Sequence, residues 1–146
     1  MKIGLSSIKF IIILICYFSI VPVAFAEEIT FFDKSGTPCA YVDIEDELTI
    51  YLWGGEPVAY LEDDSIYGFN GKHLGWFTQG IIWDHEGYAV GFIEGTIQMF
   101  TKFEPYKSYK RFKPFKSFKE FSPFKPFFTD RWSRNSLIIT LKLGSK

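Results

Sequence analysis

IYLWGGEPVAYL, residues 50–61, sets two short runs of β-branched, aromatic and aliphatic residues around Gly54-Gly55. That is the pattern of a β-hairpin, in which strand-forming residues flank a turn where glycine can take positive φ. The pattern occurs three more times without gaps: FFDKSGTPCAYV from Phe31, IYGFNGKHLGWF from Ile66 and IWDHEGYAVGFI from Ile82. Glycine holds the sixth position of every copy, as Gly36, Gly55, Gly71 and Gly87. The second position is aromatic (Phe32, Tyr51, Tyr67, Trp83), and so is the eleventh (Tyr41, Tyr60, Trp76, Phe92). The ninth is apolar (Cys39, Val58, Leu74, Val90), the tenth tiny (Ala40, Ala59, Gly75, Gly91) and the twelfth apolar (Val42, Leu61, Phe77, Ile93).

A lone two-stranded hairpin is marginal in water, so four copies must bury their apolar faces against one another about a common axis. Asn70-Gly71 is a favoured pair for a two-residue hairpin turn. The tiny tenth position marks a close approach of backbones. Cys39 shares a column with Val58, Leu74 and Val90, which makes it a small buried hydrophobe rather than a reactive thiol.

The run from Phe31 to Thr96, with its IYLWGGEPVAYL, IYGFNGKHLGWF and WDHEGY segments, resembles the bacterial 4-fold beta flower family. That resemblance implies four β-hairpins about a pseudo-fourfold axis, and a C-terminal tract in which apolar and basic residues alternate around proline. It supplies no activity and no catalytic residues. Tyrosine-aspartate and WG-type hairpin repeats are similar at a lower level.

Beyond the repeats, KPFKSFKEFSPFKPF (residues 113–127) belongs to a longer tract with an aromatic residue at every third position. The rings are Phe100, Phe103, Tyr106, Tyr109, Phe112, Phe115, Phe118, Phe121, Phe124 and Phe127. The next position is usually lysine, as Lys107, Lys110, Lys113, Lys116, Lys119 and Lys125, while Pro105, Pro114 and Pro123 overlay a nine-residue superperiod. A step of three walks round an α-helix and alternates faces on a strand, so neither gives a stripe. Polyproline II has three residues per turn and accepts proline throughout, which predicts an extended tract of that kind, with disorder as the alternative. The rings and lysines from Phe103 to Phe127 are the candidate contact residues. SLIITLKL (residues 136–143) reads as one further strand.

Two lysines, an uncharged run FIIILICYFSIVPV and Ala24-Phe25-Ala26 open the chain in the layout of a secretory signal peptide cleaved after Ala26. Ile13-Leu14-Ile15 ahead of Cys16 argues against a lipoprotein site. An exported protein, periplasmic or extracellular, is expected. After cleavage only Cys39 would remain, so no internal disulfide can form. Residues 27–98 hold 14 acidic and 2 basic residues, whereas residues 99–146 hold 3 acidic and 12 basic ones. These charges and periods divide the chain into a leader (1–26), a four-hairpin domain (27–98), the period-three tract (99–128) and a C-terminal strand segment (129–146). The fold class is all-β.

No residue pattern points to catalysis. His73 and His85 lie near repeat turns and read as polar turn residues, with a histidine-based hydrolase as a remote alternative. Asp43, Glu45, Asp46 and Glu47 lack the glycine and spacing of a calcium loop, and Glu62-Asp63-Asp64 is a second acidic connector. No cofactor or metal is expected. The composition points to a non-enzymatic structural or interaction module whose tract packs on its own domain, another copy or a protein partner. An anionic membrane surface or polymer is the alternative partner. Interleaved lysines and rings also suit single-stranded nucleic acid, against which the export signal argues.

Overall fold

The computed structural model describes residues 27–146, so the signal-peptide reading lies outside the described residues. The eight strands are β1 (Glu28–Phe32), β2 (Pro38–Asp43), β3 (Thr49–Leu52), β4 (Pro57–Glu62), β5 (Ser65–Gly68), β6 (His73–Thr78), β7 (Ile81–Trp83) and β8 (Ala89–Phe92). They pair antiparallel in chain order, and β8 returns to β1 through Phe32 and Phe92, closing a barrel.

The fourfold sequence repeat is a fourfold structural repeat. Every hairpin carries a register shift between its first and second positions: Phe31/Phe32, Ile50/Tyr51, Ile66/Tyr67 and Ile82/Trp83. The turns repeat as well, and they differ from the two-residue turn expected at Asn70-Gly71. Gly71 donates its N–H to Gly68 O at 3.0 Å, while Gly68 donates to Lys72 O at 2.8 Å. This is a three-residue loop, a tight turn completed by glycine at φ +87°. The same bond pairs recur at Gly36, Gly55 and Gly87. A side chain at that position would meet both unfavourable φ and the tract described below.

Alternation sorts the columns onto two surfaces. Phe31, Val42, Ile50, Val58, Ile66, Leu74, Ile82 and Val90 form one buried cluster inside the barrel, and Cys39 joins it. The aromatic columns face the other way and pair across neighbouring hairpins, Tyr41 with Tyr51 (ring centroids 5.7 Å) and Tyr60 with Tyr67 (6.2 Å). Phe92 meets Phe32 at 5.8 Å, and Trp76 lies opposite Trp83 in the ladder.

The C-terminal strand expected over residues 136–143 is instead a helix, α1 (Leu137–Lys142). Ser136 caps it, its hydroxyl accepting the Ile139 N–H at 3.1 Å. Ile138 and Ile139 suggested a strand, but short apolar runs are ambiguous and packing decides between the two. Leu137, Thr140 and Leu141 fall on one helical face, and both leucines are fully buried in the barrel cluster. Gly91 makes room for this plug, since a Cβ there would stand 2.9 Å from Leu137 Cδ2. Trp132 keeps one isolated bridge to Ala89 as the only β-type pairing described after β8.

Candidate functional site: the docked tract and its outward rings

Residues 100–128 form neither helix nor strand. They wrap the barrel's outer wall in an extended path whose three columns have three different environments.

The third column supplies backbone donors. Lys102, Arg111, Glu120 and Thr129 donate their N–H groups to the carbonyls of Gly36, Gly55, Gly71 and Gly87, at 2.8–2.9 Å. Ser108 and Ser117 donate to Trp53 O and Phe69 O, again nine residues apart. The remaining members of the column are Pro105, Pro114, Pro123 and Pro126, which have no N–H to satisfy. One hairpin therefore corresponds to nine residues of tract, three turns of a threefold backbone. The carbonyls of Phe100, Tyr109, Phe118 and Phe127 press on the turn glycines, where a Cβ would come within 2.0–2.3 Å of them.

The second column faces the barrel with its side chains. Lys107 bonds Glu28 at 2.6 Å, and Lys110 bridges Glu28 (2.7 Å) and Asp43 (2.5 Å). Lys113 reaches Asp46 at 2.7 Å and Glu47 at 3.0 Å, and Lys116 reaches Glu47 at 3.7 Å. Lys119 pairs with Glu62 and Lys125 with Asp64. The same ammonium groups cap the aromatic pairs: Lys107 lies 4.5 Å from the Tyr41 centroid, Lys116 4.3 Å from Tyr60 and Lys119 5.3 Å from Tyr67. At the third pair Phe128 takes the lysine's place and stacks on Trp83 at 4.6 Å. Thr101 bonds Glu94, Glu104 accepts from Thr30, and Ser122 meets His73.

Titration follows this geometry. Burial alone would raise the Glu28 carboxyl, but the bonds from Lys107 and Lys110 outweigh it and hold the group below its usual value. Asp46 is likewise held down, by Lys113 and Tyr51 against the effect of burial. Burial alone would lower the Lys110 ammonium, yet Asp43 and Glu28 carry it well above the ordinary lysine value. The acidic connectors, which lack the spacing of a calcium loop, are thus the tract's counter-charges.

The first column, the rings, touches least. The rings from Phe100 to Phe127 are 87–103 % exposed, turned away from the barrel along the whole tract. A family profile described as "4-fold beta flower protein" matches residues 29–140, the barrel, the tract and the first part of α1. The chain belongs to the 4-fold beta flower family. The match runs well past the four repeats that carried the resemblance in the sequence, so the tract belongs to the flower's own matched unit. No curated protein and no solved structure matches the chain.

The flower also joins residues that the sequence left apart. His73, 2 % exposed, sets Nδ1 2.9 Å from Nε2 of His85, across twelve residues of chain. His73 Nε2 lies 3.1 Å from the Ser65 hydroxyl, and its backbone N–H donates to Glu120 at 2.7 Å. Burial, then the neighbouring His85, pushes the His73 imidazole down to about 4. The pair borders a cleft of about 380 Å³ with Lys72, Glu86, Glu120 and Asn135. Adjacent Asp84 is committed elsewhere, accepting the turn N–H groups of Glu86 and Tyr88 at 2.9 Å each. His73 and His85 occupy different repeat columns, so no alignment of the repeats signals their meeting. Among the described residues no three His, Cys, Asp or Glu side chains converge to hold a metal ion.

Proposed function

We propose that this flower is an exported, non-catalytic interaction module that presents an aromatic girdle to a protein surface. One observation carries the reading. The docked tract uses its backbone and lysines to hold the barrel and leaves ten consecutive first-column rings in water. Exposed apolar patches of this extent on soluble proteins mark contact sites. The lysines favour this reading over an anionic membrane or polymer, because they are already paired with carboxylates of the same chain. Export rests on the N-terminal layout of charge, apolar run and Ala24-Phe25-Ala26. The His73–His85 pair is read as an internal brace on the tract, through Glu120 and Ser122.

The test is photocrosslinking in the native host, with p-benzoylphenylalanine in place of Phe115 and, as a control, of Asp63 in an acidic connector. A discrete crosslinked product at Phe115 and none at Asp63 is expected. No product from any ring position in the tract overturns the reading.

A further inference from the structure

We infer that the partner for the girdle is a second copy of this chain, held by interleaving of two aromatic combs. The inference rests on the interaction-module reading and adds the identity of the partner.

Spacing is the first argument. In a threefold extended backbone rising about 3.1 Å per residue, successive rings stand about 9 Å apart. Each ring is essentially free of its neighbours, so the gaps between them are open. Two identical combs offset by half a period bring ring centres to about 4.7 Å along the stripe, inside the 4.5–7 Å range at which aromatic rings pair. A partner without that period would leave the gaps unfilled.

Charge is the second argument. Two lysine-rich tracts would ordinarily repel, but the Lys113, Lys116 and Lys119 ammoniums sit against Asp46, Glu47 and Glu62 of their own barrel. The like-charge penalty is reduced before the copies meet. The middle nine-residue unit has lysine at every second-column position and phenylalanine at every ring, Phe112, Phe115 and Phe118. It also has a further unit on either side, which makes it the centre of the contact.

Area is the third. The tract curves with the barrel, so only its central part can face a second copy. About two or three rings per copy, each burying roughly 150–250 Å², give about 300–750 Å² per partner, the size of a weak, reversible interface rather than a permanent one.

The experiment is sedimentation equilibrium of the protein as recovered from its host, from micromolar to several hundred micromolar. A reversible monomer–dimer equilibrium is expected. The triple variant Phe112→Ser/Phe115→Ser/Phe118→Ser should weaken it at least a hundredfold while leaving far-UV circular dichroism unchanged. Phe115→Cys should form a disulfide-linked dimer under mild oxidant far faster than Phe100→Cys at the tract's edge. Buried Cys39 does not interfere. Photocrosslinking from the ring positions separates the two levels of the reading. A protein that stays monomeric but gives a discrete crosslink to a different protein overturns the second-copy assignment and keeps the interaction module. A protein that is monomeric and gives no crosslink from any ring position overturns both.

Discussion

Gly71→Ala should release the tract locally, and Gly95→Ala provides a matched control. Both glycines have left-handed φ, +87° and +82°, so each alanine bears a similar backbone strain of about 1–2 kcal/mol. Their surroundings differ. A Cβ on Gly71 would stand 2.0 Å from Phe118 O, whereas a Cβ on Gly95 meets nothing within 4 Å. Only the first substitution pushes the tract away, and the hydrogen bonds at risk are Glu120 N–H to Gly71 O and Ser117 N–H to Phe69 O, each 2.9 Å. At about 0.5–1.5 kcal/mol each, their loss favours the open tract by about 1–3 kcal/mol. That is about a five- to 150-fold increase in the opened population. Tryptic cleavage at Lys116 and Lys119 reads that population when opening is fast relative to cutting. Exchange of the Glu120 amide gives a second readout. Cleavage that accelerates equally in both variants would refute docking through the turn glycines.

Three further outcomes follow from the same structure. His73 is neutral in the fold, with a value near 4 against 6.5 for a free imidazole, so the unfolded chain takes up the proton first as pH falls. Its contribution is therefore full above about pH 6.5 and declines toward pH 4; urea midpoints should fall over that window, and His73→Gln should flatten the decline. The Glu28 and Asp46 pairings, whose carboxyls are held low, are lost only at more acid pH. Leu141→Ala in α1 should cost about 2–5 kcal/mol in urea unfolding, because the side chain is fully buried in the barrel; a loss near zero would mean that α1 does not plug it. Cys39, whose thiol burial and Asp33 push up to about 12, should resist a thiol reagent at pH 8 until denaturant is added; rapid native labelling would contradict its place in the core.

The barrel was legible because its repeat is written in side chains whose roles are local. Glycine at the turn, aromatics on the outer wall and aliphatics inside follow from strand alternation and need no knowledge of distant partners. Pro105, Pro114 and Pro123 announced the nine-residue beat, and the threefold period indicated a backbone that could display columns. What the tract rests on was less legible, since a lysine ladder does not specify its carboxylates. Glu28 and Asp43 meet at Lys110 only because β1 and β2 pair at those two residues. α1 reads as a strand in sequence because Ile138 and Ile139 carry strand propensity, whereas the packing of Leu137 and Leu141 selects helix. The His73–His85 contact depends on the turn of one hairpin reaching the strand of another, which neither residue's local sequence encodes.

The three columns of the tract also separate what the fold requires from what it does not. A residue in the third column must either present an N–H to a barrel carbonyl or do without one, and the sequence places proline only where no such bond is made. A residue in the second column must satisfy a carboxylate, an aromatic pair or a polar group of the wall, and Lys125 gives way to Phe128 where Trp83 offers a stacking face. The first column answers to neither demand, since side chains that point into water could be serine or glutamine without loosening one docking bond. Yet that column is aromatic at all ten positions, and exposed rings carry a standing risk of unwanted association. On the function proposed above, a stripe that is costly to solubility and unnecessary for docking serves contact with another molecule. The column least used by the flower is therefore where substitutions test that proposal without disturbing the fold.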